Sequence, residues 1–139
     1  MELTANALQT VAAGSNVVFT NTAVPGCVSI IHRPGSGLVT LRGITNQCRA
    51  RFKVSFGANI GLPAEGTVGP ISLAIAINGE PVSTTTMIST PAAVEEFNNV
   101  SRTFYVDVPA SCCSQISVRN ISEDEIDVQN ANLIVERVA

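Results

Sequence analysis

From Ile71 to Ile77 the side chains alternate without interruption. Ile71, Leu73, Ile75 and Ile77 point to one side; Ser72, Ala74 and Ala76 point to the other. A period of two marks a β-strand. The second set is small and uncharged, so the strand can be packed closely on both faces, as in the middle of a sheet. Asn78-Gly79 follows at once. Both residues tolerate the positive φ that a two-residue hairpin turn demands, so the chain is expected to reverse there and return through 82–87.

The remainder reads the same way. Strands are expected over 5–12, 16–20, 28–32, 38–42, 49–56, 101–108, 115–121 and 126–138, separated by turn signals such as Pro25-Gly26 and Pro34-Gly35. The clearest alternation runs from Arg49 to Phe56: Ala50, Phe52, Val54 and Phe56 face inward, and Arg49, Arg51, Lys53 and Ser55 face out. The glycine-rich stretch 58–68 reads as a loop. Pro91 to Phe97 is the one place where a helical turn fits. In the last strand the apolar phase slips from Ile126 and Val128 to Ala131, Leu133 and Val135, which a β-bulge near Asn130 would absorb. Many short strands without a long amphipathic helix give an all-β fold. It is expected to be a jelly-roll β-sandwich of roughly eight strands, forming a single domain over residues 1–139.

Composition narrows the function classes. The chain is 45% hydrophobic and 14% charged, against about 25% charged in an average domain, and its mean hydropathy is +0.31. Some of its surface is therefore expected to be covered by other subunits. The formal net charge of −3 argues against a nucleic-acid partner. No run approaches the ~18 apolar residues that cross a membrane, and the N-terminus lacks the pattern of a secretory signal. The cysteines are Cys27, Cys48, Cys112 and Cys113. The apolar content can supply a core without them. They read as small buried or turn thiols, or as a pairing of Cys27 or Cys48 with the 112–113 turn, and spacing alone does not choose between these.

Four stretches together resemble one family: Leu8-Gln9-Thr10-Val11-Ala12-Ala13-Gly14-Ser15-Asn16-Val17-Val18-Phe19, Ile71 to Gly79, Ile116-Ser117-Val118-Arg119-Asn120, and Asn130-Ala131-Asn132-Leu133-Ile134-Val135. Their order and spacing are similar to the C1q/TNF-like jelly-roll family. The likeness is to its bacterial and phage branch, comprising C-terminal domains of collagen-like spore-surface glycoproteins and small phage head-fibre or capsid-associated proteins. The resemblance implies a homotrimer with a display or binding role and no catalysis. No Gly-X-Y stretch precedes these motifs, which turns the expectation towards a capsid decoration protein on the virion surface. The alternative is a binding module on a bacterial cell or spore surface. The partners implied are two further copies of the chain, a major capsid protein or a host-surface glycan.

Candidate sites are few. Arg49, Arg51 and Lys53 stand on one strand face, roughly 7 Å apart by the strand rise, with Arg42 upstream. They read either as a docking surface for an acidic partner or as a solvated face paired to acids across the sheet. Small or aliphatic residues are expected at a trimer axis, with Ser72, Ala74, Ala76 and Leu133 as candidates. His32 is the single histidine and has no nucleophile pattern beside it, so no catalytic residue, cofactor or metal ligand is assigned. Glu123-Asp124-Glu125 with Asp127 lacks the spacing of a calcium loop and reads as a solvated turn.

Overall fold

The structure is a computed structural model, and it describes residues 1–111 and 113–139. The strands are β1 (Glu2–Ala5), β2 (Gln9–Val11), β3 (Asn21–Val24), β4 (Ile30–His32), β5 (Val39–Arg42), β6 (Arg49–Gly61), β7 (Ile71–Ile77), β8 (Glu80–Pro81), β9 (Met87–Ser89), β10 (Asn98–Pro109), β11 (Cys113–Asn120) and β12 (Ile126–Arg137). They form two antiparallel sheets. The first runs β10-β6-β12-β1-β3, with β2 also paired to β12; the second runs β4-β5-β11-β7-β8, with β9 also paired to β7. The inner faces meet in one core that includes Phe19, Phe52, Phe56, Leu41, Leu73 and Ile116. Phe19 and Phe56 pack edge to face with ring centroids 6.4 Å apart, a favoured aromatic geometry.

The hairpin is as the sequence implies. Asn78 and Gly79 take φ of 53° and 85°. The return, however, is short. After β8 the chain enters a 3₁₀ turn, Ser83–Thr85, because Thr85 turns inward. Its buried hydroxyl donates to the Val82 carbonyl (2.7 Å) and accepts from the Ile75 N–H (2.9 Å), taking over a ladder position of β7.

Other boundaries shift for local reasons. Strand β6 continues to Gly61, five residues beyond Phe56, because Ala58 and Ile60 keep the inward phase. Gly61 is needed there: a Cβ would lie 2.7 Å from the Glu96 carbonyl oxygen. The expected first strand, 5–12, shortens to β2, and β1 and β3 form outside the expected strands apart from Ala5. Residues 16–20 make isolated bridges rather than a strand, although Val17 and Phe19 are fully buried. Pro91 to Phe97 is not helical; Glu95 sits at φ 60° in a turn. The bulge in β12 falls between Gln129 and Asn132, with Asn130 at φ 54°.

One buried polar side chain ties an end of the sandwich together. Asn120 is fully buried; its amide donates to the carbonyls of Val11 and Asp124 (both 3.0 Å), and its oxygen accepts the Ser122 N–H (2.9 Å). Losing it leaves buried carbonyls unpaired, at about 1–3 kcal/mol each. Asn120→Ala is therefore expected to lower the free energy of unfolding in urea by about 2–4 kcal/mol, and an unchanged midpoint would show that water replaces the amide. Among the described residues Cys27, Cys48 and Cys113 are exposed free thiols, while Cys112 lies outside them. Reductant is expected to move the melting temperature by less than about 3 °C, whereas a drop of tens of degrees would reveal a structural bridge.

Candidate interaction surfaces

The pleat that sends Phe52, Val54 and Phe56 inward sends Arg49, Arg51, Lys53 and Ser55 to the outer face of the first sheet. Their partners are fixed by register. Asp107 of β10 lies opposite Arg51. Arg51 grips it with two bonds, Nε to Oδ1 (2.8 Å) and Nη2 to Oδ2 (3.0 Å), and Arg49 Nε approaches Oδ2 at 3.2 Å. Lys53 lies between Tyr105 on β10 and Glu136 on β12. The stripe is thus largely offset within its own sheet, which favours the paired reading of these cations. Arg42 does not belong to it: β5 is in the second sheet.

Further along the same face the bonds run mostly between hydroxyls and amides, with one to a carboxylate. Ser55 and Thr103 hydroxyls share a bond (3.0 Å), Asn99 donates to Asn59 (3.2 Å), Asn59 donates to Asn130 (3.3 Å), and Asn132 donates to Glu2 (2.7 Å). Among these polar groups Tyr105 is 63% exposed and Ile134 39%. Ile134 also lines a mostly apolar hollow of about 280 Å³ with Met1, Glu2, Val24, Val135 and Glu136. The result is a broad sheet face with satisfied polar groups and a few unburied apolar side chains.

The residues expected at a trimer axis lie elsewhere. Leu133 is 1% exposed and belongs to the core. The bulge at Asn130 restores the inward phase, so its neighbour Ile134 carries the outward position. Ala74 and Ala76 have no exposed surface in the single chain. Arg119, the register partner of Ala74, donates to the Gly79 carbonyl (2.9 Å), so its side chain runs along this outer side towards the hairpin tip. Ser72 is part-buried, and its backbone bonds Ser122 Oγ. None of the three small residues offers the open face that the alternation implied.

His32 is held by its Nε2 on the Ser36 carbonyl (2.9 Å) and by an edge contact to Phe19; Nδ1 is buried without a partner. Among the described residues no group of three or more His, Cys, Asp or Glu side chains is arranged to hold a metal. Asp127 is buried and accepts from the Thr10 hydroxyl (2.9 Å), away from the exposed Glu123-Asp124-Glu125 turn.

The chain matches no protein-family model and no curated protein sequence. Its fold is similar to solved structures. The globular domain of zebrafish complement 1qA superposes with a TM-score of 0.63 at 9% identity, over 96% of this chain and 93% of that one. Eiger TNF from S. frugiperda superposes at 0.68 with 12% identity, over 100% of this chain and 92% of that one. The architecture is therefore the jelly roll shared by C1q and TNF globular domains.

The Asp107 carboxyl is held below the usual carboxylate range, first by its hydrogen bonds from Arg51, against a smaller opposing effect of desolvation; Arg51 is correspondingly raised. A depressed folded-state carboxyl contributes stability above its unfolded value, about 3.9, and loses it as pH falls through the lower folded value. The contribution is small because the pair is exposed to solvent. In an NMR titration Asp107 is expected to show a midpoint below that of an unstructured Asp, and Arg51→Ser is expected to raise it; an unshifted wild-type midpoint would dissolve the pair in solution. Arg49→Ser with Arg51→Ser is expected to leave the melting temperature within about 2 °C of wild type.

Proposed function

We propose that the chain is a non-catalytic display domain. In this reading it assembles as a cyclic homotrimer and decorates or projects from a phage particle, as the sequence resemblance implies. The observation that supports self-association is the outer face of the first sheet. On it Arg49 and Arg51 share Asp107, Lys53 stands opposite Glu136 in the register, amides and hydroxyls bond one another, and Tyr105 and Ile134 stand unburied among them. A second copy can cover such a face with both arginines already paired to Asp107, and an exposed tyrosine is an anchor that interfaces favour. In a cyclic trimer each subunit presents one part of this face to a different part of its neighbour, and the ring closes. Residues 104–108 and 133–138 reach this face through Tyr105, Asp107, Ile134 and Glu136, whereas β7 lies in the other sheet.

Each chain closes its own core. Its accessible surface is 7021 Å², close to the ~6,900 Å² of a compact folded chain of this mass. A trimer that is disrupted should therefore release folded monomers. Light scattering is expected to give three times the 14.5 kDa chain mass at micromolar concentration. Ile134→Lys is expected to give a folded monomer, while Leu133→Lys, which places the charge in the core, is expected to unfold the chain. A wild-type monomer would overturn the proposal. Co-sedimentation of the chain with purified particles would test the virion assignment, and its absence from them would favour the cell-surface alternative.

A further inference from the structure

The two ends of the sandwich carry opposite charge. At one end β6, β10, β11 and β12 bring together the loop 25–29, the loop 43–48, the turn residues 109–111 and the chain end 137–139. Backbone bonds join them: Arg42 N–H to Ser29 O (2.8 Å), Ala110 N–H to Cys48 O (3.1 Å), Ser111 N–H to Gly43 O (3.1 Å) and Val138 N–H to Arg51 O (2.9 Å). Arg42, Arg49, Arg51 and Arg137 collect here, and Asp107 is the acidic side chain among them. Lys53 and Glu136, the next row inward, stand opposite each other in the register. The far end, where Gly61 meets Asp127, carries Glu65, Glu95, Glu96 and Glu123-Asp124-Glu125. A chain of formal net charge −3 thus presents a cationic end.

Between the loop 43–48 and β12 lies a shallow open cleft of about 480 Å³, lined by Ile44, Thr45, Asn46, Gln47 and Arg137. Arg137 donates from Nη1 to Ser29 Oγ (3.1 Å) and from Nε to the Ala139 oxygen (3.2 Å), which holds its guanidinium at the cleft wall with Nη2 remaining to donate. Arg42 borders the adjoining hollow with Ile44 and Cys113. We infer that this end binds an acidic polysaccharide, a chain of sugars bearing carboxylate or sulfate groups.

The chemistry of the lining selects that class. Guanidinium groups pair bidentately with carboxylate and sulfate oxygens. The Asn46 and Gln47 amides and the Thr45 hydroxyl offer donors and acceptors to sugar hydroxyls. The cleft is open to solvent, so part of a polymer can rest in it. No aromatic side chain lines it, which removes the stacking platform that single-stranded nucleic acids use. Ile44 alone is apolar in the lining, too little for insertion into a bilayer. The site is complete in one chain. It rests on the display reading only for valency: a cyclic trimer whose axis follows the strands would point all three cationic ends the same way, and a polymer could bridge them.

The test measures binding of the intact protein to dextran sulfate and to polygalacturonate by calorimetry, with neutral dextran as control. At low salt either acidic polymer is expected to bind, with affinity falling as salt rises, and dextran is expected not to bind. Arg42→Gln with Arg137→Gln is expected to weaken binding at least tenfold. Arg42→Gln alone, which removes no hydrogen bond seen in the fold, is expected to weaken it severalfold, so the result stands if the double variant is unstable. Arg33→Gln, away from this end, should change nothing. Failure of both acidic polymers to bind, equal binding by the Arg42 variant, or tighter binding to duplex DNA or to phosphatidylserine vesicles would overturn the inference. Light scattering on the same samples reports the oligomer separately, so a monomer that binds would refute the trimer and leave this site standing.

Discussion

The pleat of β6 governs the structure. Over thirteen residues, Arg49–Gly61, it is paired on both edges, by β10 and by β12, and its inward set from Ala50 to Ile60 is buried throughout. A slip of one residue would turn Arg49, Arg51 and Lys53 into the core and expose two phenylalanines, which costs far more than any surface arrangement can return. The register is therefore set by the core. The surface inherits its geometry from it: Asp107 is opposite Arg51, and Glu136 is opposite Lys53, because Val106, Val108 and Val135 face inward.

That coupling explains what could be read from the sequence. Alternation exposes the inward residues directly, so the all-β class, the hairpin at Asn78-Gly79 and the bulge near Asn130 were legible. Alternation says nothing about which strand lies beside which. The stripe of cations was visible, but Asp107 is more than fifty positions away in sequence, and only the β10–β6 pairing brings it alongside. Leu133 and Ile134 illustrate the same limit: a bulge decides which of the two faces out, and its position within two residues reverses the answer.

Small residues misled for a different reason. Ser72, Ala74 and Ala76 leave room for something to approach, and a sequence cannot say what fills the room. Here neighbouring parts of the same chain cover them, with Arg119 reaching the Gly79 carbonyl on that side. The cationic end was legible in part. Arg42, Arg49 and Arg51 stand close together in the sequence, whereas Arg137 joins them because β5, β6 and β12 each start or stop at that end of the sandwich. Fold-level likeness to C1q and TNF domains at 9% and 12% identity fixes the architecture; the chemistry of the surface is this chain's own.

The proposed trimer covers the outer face of the first sheet with another copy of the chain. The chain has one tyrosine and no tryptophan, and Tyr105 stands on that face with 63% of its surface open in the single chain. Its intrinsic fluorescence is a direct reporter of cover. Acrylamide quenching of the native protein at micromolar concentration should be several times weaker than that of N-acetyltyrosinamide, and should rise towards the free value on dilution or in Ile134→Lys. Quenching of the undiluted wild-type protein as strong as that of the free tyrosine derivative would contradict the claim.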